Sequence, residues 1–198
     1  MLFRSSTDGS CPSHMHTRDD YSCDRGVELW LLEEATKRNP NIQTFGLIWG
    51  APGWINNGTF YGPDMIDYML NWARCAQLRS GKVPDKLGLW NEAAQPQPDF
   101  VIELRQALDA NGFSDTGIVV MDNAYFNNQE IEWAQANDTY RQAISVAGLH
   151  DPCEFFYGPL PQARELGWDL WSSEDFSRDV TGWQDSQNYW LKIGRAHV

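Results

Sequence analysis

One repeating pattern constrains this chain more than any other: a short apolar run ending on polar or acidic residues, then a helix-spaced segment, then the next apolar run. Ile42 to Trp49 is the first run and stops at Gly50-Ala51-Pro52-Gly53. Pro63 to Leu78 has helical periodicity, and Lys86 to Trp90 then ends on Asn91-Glu92. Pro98 to Ala110 reads as a helix opened by Pro and closed by Asn111-Gly112. Gly117 to Met121 ends on Asp122-Asn123, Gln129 to Gln135 is helical, Ala143 to Leu149 ends on His150-Asp151-Pro152, and Leu170 to Ser172 ends on Ser173-Glu174-Asp175. Strands joined through helices are parallel, because a parallel pair needs a long crossover that a helix supplies. Five strands are expected.

Ahead of the first strand, Gly26 to Arg38 has helical spacing, with Val27, Leu31 and Ala35 on one side. Asn39-Pro40 stops it, because the residue before Pro avoids the helical region. Residues 8–25 read as a polar loop. No Gly-rich phosphate loop follows any strand, which argues against a nucleotide-binding doubly wound sheet. Polar residues at the C-terminal ends of strands are where a (β/α)8 barrel builds its active site. An open five-stranded sheet and an incomplete (β/α)8 TIM barrel both satisfy the pattern. The 198 residues fall short of the roughly 250 of a whole barrel.

The two ends read as foreign to the rest. Leu2-Phe3-Arg4-Ser5 and Ile193 to Val198 are what common sequencing-adapter DNA would encode, the first from the reverse complement of the sequence that begins the second. Residues 6–192 are therefore expected to be a partial barrel domain, with 1–5 and 193–198 non-native.

Composition excludes some partners. A net charge of −12 without a basic stripe argues against nucleic acid. An acidic balance suits solubility or work at low pH, and does not choose between them. No apolar run approaches the roughly 18 residues of a transmembrane segment. The four Cys show no CxxC spacing, so a zinc site is not expected; Cys11 and Cys23 could form one short-range disulfide in an oxidising compartment. Asn57-Gly58-Thr59 and Asn137-Asp138-Thr139 fit the glycosylation acceptor pattern. Ten Trp are many; they suit core packing and stacking on sugar rings.

Glycoside hydrolysis needs two carboxyl groups flanking the scissile bond, about 5–5.5 Å apart in retaining enzymes. Glu92 and Glu174 each end a strand that contains Trp, and strand ends of one repeating topology bring such groups together. They are the candidate catalytic pair. His150, also at a strand end, either lines the pocket or serves as a structural hydrogen-bonding His. Asp122 and Asp175 read as structural or supporting rather than catalytic. Trp54 is either a pocket wall or packing. His14 and His16 sit two apart without an evident third ligand, so no metal is expected.

The chain resembles glycoside hydrolase family 59. The matching segments run in order from about residue 7 to residue 190: Thr7-Asp8-Gly9, Pro12 to His16, Lys37 to Ile42, Gly46-Leu47, Trp49, Pro52-Gly53-Trp54, Trp90-Asn91-Glu92, Asp122-Asn123 and Leu170 to Ser177. The resemblance implies a (β/α)8 barrel of which strands three to seven and their helices are present. It implies hydrolysis of the β-galactosidic bond of galactosylceramide-like glycosphingolipids by double displacement, with Glu92 as acid/base and Glu174 as nucleophile. Asn91 and Trp49 match sugar-contacting residues, and His150 and Trp54 join them as candidate substrate contacts. No cofactor is implied. The implied partners are a glycosphingolipid or other β-galactoside and a lipid-presenting activator protein, in a lysosomal or secreted setting. After Glu92 the chain reads Ala93-Ala94-Gln95-Pro96, and after His150 it carries Cys153 to Tyr157; both loops depart from the family's pattern and border the pocket. A related hydrolase acting on glucosylceramide or a β-galactan is the rival enzyme, and an inactive sugar-binding fragment is the rival outside enzymes. Taken alone, the 198-residue chain is expected to be inactive.

Overall fold

The structure is a computed structural model that describes residues 2–3, 13–55, 60–93, 97–123, 128–150 and 161–174. In chain order its elements are strands β1 (Leu2–Phe3), β2 (Met15–Thr17) and β3 (Asp20–Tyr21), helix α1 (Val27–Arg38), strand β4 (Phe45–Ile48), helix α2 (Pro63–Ser80), strand β5 (Lys86–Gly88) and helix α3 (Pro98–Ala110). Strand β6 (Gly117–Asn123), helices α4 (Gln129–Ala136) and α5 (Asp138–Ala143), strand β7 (Val146–His150), helix α6 (Pro161–Glu165) and strand β8 (Asp169–Glu174) complete them. The main sheet runs β1-β4-β5-β6-β7-β8, parallel throughout. The five expected strands are β4 to β8 in sequence order; β1 adds a short edge. Each of β4 to β7 is followed by a helix, and the five-stranded body is a curled half-barrel of the (β/α)8 class.

The curl has a direct marker. Phe45 on β4 and Trp171 on β8 meet edge to face, ring centroids 6.1 Å apart, although three strands separate them in the sheet. Two glycines make room on that concave face. A Cβ on Gly88 would fall 2.7 Å from Leu47 Cδ1 and 2.9 Å from the Phe45 ring, and one on Gly148 would fall 2.8 Å from Ser173 Oγ. Side chains from neighbouring strands therefore fill the space above both. The convex face carries Ile48, Leu87, Ile118, Val120, Ala147 and Leu149, all buried against the helices in one hydrophobic cluster.

Local signals explain the helix bounds. Pro63 opens α2, and Gly81 in the left-handed region (φ 76) closes it, its amide bonding to Gln77 O. On α3 the expected bounds Pro98–Ala110 are the observed ones. The buried side of α1 differs from expectation. Leu29, Leu32 and Thr36 face the core, while Val27, Trp30 and Leu31 are exposed. Both stripes are apolar, so periodicity alone does not choose. The inward face is the one packed on α2, and Arg79 of α2 pairs with Glu33 beside that contact at 2.6 Å.

Residues 13–23 also depart from the expected loop. They form the β2–β3 hairpin, which packs on α2 through Ser13 Oγ to Tyr68 Oη (2.9 Å) and His14 Nε2, which donates to Tyr68 O (3.0 Å). The hairpin carries Cys23 onto α2, where it is bonded to Cys75 with a Cα separation of 4.9 Å. That corrects the Cys11–Cys23 expectation: Cys23 is engaged by a helix 52 positions away, a distant partner that spacing does not reveal. Cys11, Cys153, Asp175, the triplet at Asn57 and residues 193–198 lie outside the described residues. Asn137 caps α5, its side-chain oxygen accepting from the amides of Thr139 and Tyr140.

Two buried ionisable groups beside this hairpin oppose one another. Glu28 folds back over Gly26, where a Cβ would come within 2.3 Å of its Oε1 and where φ is 96, so only glycine suits the position. Burial pushes the Glu28 carboxyl up from 4.5 to about 7, tempered by its own backbone amide. Burial lowers His14 from 6.5 to about 4, against the raising effect of the Tyr68 carbonyl and with help from Arg25. Glu28's contribution to stability is whole below pH 4.5 and is lost as pH rises through about 7. His14's is whole above pH 6.5 and is lost as pH falls through about 4. Between those limits the two slopes offset. Replacing Glu28 by Gln removes one slope, so the stability difference between variant and parent should move in the variant's favour by on the order of 1–3 kcal/mol between pH 5 and 7.5. Urea unfolding of both chains at the two pH values measures it; an unchanged difference contradicts the assignment. Gly148→Val should cost about 1–3 kcal/mol in the same assay by forcing Ser173 aside, and an unchanged midpoint would contradict the close approach.

Candidate active site

The C-terminal ends of β5, β6, β7 and β8 deliver Glu92, Asp122, His150 and Glu174 to one place. His150 is the hub. Its Nε2 lies 3.1 Å from Asp122 Oδ1, its Nδ1 lies 3.2 Å from Glu92 Oε1, and Glu174 Oε2 is 4.0 Å from Nε2. The exposures are graded: the His150 and Asp122 side chains are each 1% exposed, Glu174 31% and Glu92 53%. The inner pair forms a floor and the two glutamates stand above it, open to solvent.

Strict strand alternation would not produce this convergence. On β7, Ala147 and Leu149 point to the helices, so His150 points to the concave face unaided. On β6, Ile118 and Val120 point to the helices, and alternation would send Asp122 the same way. An extra residue intervenes: Val120 pairs with Ala147 but Asn123 pairs with Leu149, and Met121 between them has φ 66. This bulge re-aims Asp122 towards His150. A second irregularity does the same on β8, where Ser172 pairs with Leu149 but Glu174 pairs with His150. Glu92 itself has φ 50, a left-handed conformation that costs a non-glycine residue on the order of 1 kcal/mol. Two backbone bonds hold it there: Asn91 N to Ile48 O at 2.8 Å and Glu92 N to Asp122 O at 3.0 Å. Asp122 thus fixes Glu92 through its carbonyl and His150 through its carboxylate.

Both catalytic candidates read from the sequence fall in this cluster, as does His150. Asn91 adjoins it, and its side-chain Oδ1 is buried without a hydrogen-bond partner among the described residues. Trp49 follows β4 directly at the same end of the sheet. Trp54 has other partners: its Nε1 donates to Met15 O at 3.4 Å, its ring meets Tyr68 edge to face, and Arg18 lies over it at 5.8 Å. Those contacts belong to the hairpin and α2 layer, none of them to the carboxylate cluster. Trp90 stacks flat on Phe60, centroids 3.6 Å apart, and forms an aromatic wall two residues from Glu92. Asp122, read from the sequence as structural or supporting, lies buried against His150; the sequence reading did not pair the two. Its strand-end position and its pairing with a strand-end His one βα unit later were the available signals.

Burial lowers the His150 pKa, but the hydrogen bond and charge of Asp122, the charge of Glu174 and the bond to Glu92 outweigh it, and the net shift is upward. Among the described residues no group of three or more His, Cys, Asp or Glu is arranged to hold a metal ion. His14 is committed to Tyr68 O, and His16 faces Asp20 at 3.5 Å. No helix among the described residues is long and apolar enough to cross a membrane.

The model of glycosyl hydrolase family 59 matches residues 4–195. The galactocerebrosidase of Danio rerio is 39% identical over 176 residues, covering 86% of this chain and 26% of that protein. The galactocerebrosidase of Homo sapiens is 34% identical over 176 residues, with 86% and 25% covered. The chain therefore spans about a quarter of the length of these relatives. Among solved structures, a glycoside hydrolase family 30 subfamily 8 xylanase from Clostridium acetobutylicum superposes with a TM-score of 0.56 at 20% identity, over 73% of this chain and 41% of that one. The last likeness concerns the fold.

Proposed function

Because this chain belongs to glycosyl hydrolase family 59, we propose that it supplies the catalytic cleft of a retaining β-galactosidase acting on galactosylceramide-like glycosphingolipids. The observation that carries the reading is the meeting of Glu92 and Glu174 around one imidazole at the C-terminal end of a parallel half-barrel. Glu174, ionised, attacks the anomeric carbon and forms a glycosyl ester as the bond to the leaving oxygen breaks. Glu92, protonated, gives its proton to that oxygen, then takes one from the water that releases the sugar. A sugar hydroxyl would supply the donor that the buried Asn91 Oδ1 lacks. Trp49 offers an indole face to the ring. A lysosomal or secreted setting is supported by the Cys23–Cys75 disulfide.

The catalytic unit in this reading is a longer protein carrying this segment as part of its barrel. The 198-residue chain alone would not turn over substrate, since β1 and β8 each have one strand neighbour among the described residues and the barrel stays open.

On the full-length protein carrying this segment, Glu174→Ala should lower turnover of a β-galactoside by about 10³-fold or more, and Glu92→Gln by roughly 10²–10⁴-fold. Proton NMR of the first-formed sugar should show the β anomer. Normal turnover by Glu174→Ala, or the α anomer appearing first, would overturn the assignment. A panel including β-glucosides separates the rival related hydrolase.

A further inference from the structure

We propose that His150, anchored by Asp122, is a positioning residue for the acid/base group: it grips one oxygen of Glu92 with a ring N–H and leaves the other oxygen to face the leaving group. The inference rests on the function proposed above and adds a residue that acts through Glu92 rather than on the sugar.

The geometry sets the protonation pattern. Carboxylate oxygens are acceptors, and His150 has one at each nitrogen, Asp122 Oδ1 at 3.1 Å and Glu92 Oε1 at 3.2 Å. A ring placed between two acceptors donates from both nitrogens, and so carries a positive charge. Asp122 is buried, and its Oδ2 has no hydrogen-bond partner among the described residues. Among the described residues its charge is balanced at Oδ1 by His150, which binds the proton to the ring. Three carboxyl groups face the ring, each from a different strand: Glu92 after β5, Asp122 on β6 and Glu174 on β8. All three favour the charged imidazole, against burial.

That charge has a defined use. Glu92 begins with its proton on Oε2 and its Oε1 held by Nδ1–H. When the Oε2–H bond breaks and the proton passes to the leaving oxygen, Glu92 becomes a carboxylate, and the bond from Nδ1–H becomes charge-assisted on both sides. The imidazole keeps its own proton throughout; the one proton lost, from Glu92 Oε2, goes to the leaving oxygen and is replaced from the water that releases the sugar. The same ring lies 4.0 Å from Glu174 Oε2. Sequence reasoning offered His150 as a substrate contact or a structural hydrogen-bonding residue; its bonds to Asp122 and Glu92 fit the second, and the proposal extends it to the positioning of Glu92.

The test uses the full-length protein carrying this segment, with His150→Gln and Asp122→Asn, and two β-galactosides: one with a poor alkyl leaving group and one with a dinitrophenyl leaving group that departs without protonation. Both variants should lose about 10²-fold in kcat/KM on the alkyl galactoside, with a change of less than about 3-fold on the activated one. A merely structural role would lower both substrates together, and equal losses overturn the inference. Nitrogen-15 NMR of the ring gives a readout independent of turnover. Both His150 nitrogens should be protonated at pH 6 in the parent, and Asp122→Asn should shift the ring towards one neutral tautomer. A neutral His150 in the parent at that pH overturns the inference. If the parent cleaves no β-galactoside yet shows the doubly protonated ring, the reading of its function fails while the placement of His150 survives.

Discussion

Asp122 and His150 are each 1% exposed, and groups so deeply placed depend on the bond between them, Nε2 to Oδ1 at 3.1 Å. Removing either would leave a buried charge or donor without its partner, at a cost of a few kcal/mol. The proposed catalytic groups are arranged around that contact. Glu92 leans on the outer nitrogen of the ring, Glu174 stands beside the inner one, and the Asp122 carbonyl pins the strained backbone of Glu92. The contact exists only because β6 carries one residue more than regular pairing allows.

The scaffold supplies what this contact needs. Parallel strands put their C-terminal ends on one rim, and the curl marked by Phe45 and Trp171 bends that rim inward. Glycines at 88 and 148 admit the concave side chains. On the convex side, apolar residues bury against the helices and make the sheet rigid. Further out, the β2–β3 hairpin is tied to α2 by the disulfide and by His14. Strain is concentrated at the rim, at Glu92 and Met121, beside the carboxylate cluster.

Much of this was legible in the residues. Hydrophobic runs and helix-end signals gave the five strands, the four longest helices and the parallel order, because a parallel sheet buried on both faces leaves continuous apolar runs. The strand-end positions of Glu92, His150 and Glu174 pointed to the cleft for the same reason. What escaped was set by tertiary contacts. The buried face of α1 depended on α2, since both of its stripes are apolar. Cys75, on the partner helix, decided the disulfide. The inward turn of Asp122 depended on a bulge, and alternation taken at face value sends that side chain to the wrong face. Hairpin residues 13–21 lack the alternating apolar pattern of a free-standing strand pair, and take their shape from Tyr68 beneath them.

The central claim is that Glu174 forms the covalent bond to the sugar while Glu92, held by His150, handles the proton. A 2-deoxy-2-fluoro-β-galactosyl fluoride, which slows release of the covalent intermediate, tests it directly on the full-length protein carrying this segment. After inactivation and proteolysis, mass spectrometry should find the fluorosugar on the peptide containing Trp171 to Glu174, with the label on Glu174. A label on Glu92, or continued cleavage of galactosides with no label anywhere, would contradict the account.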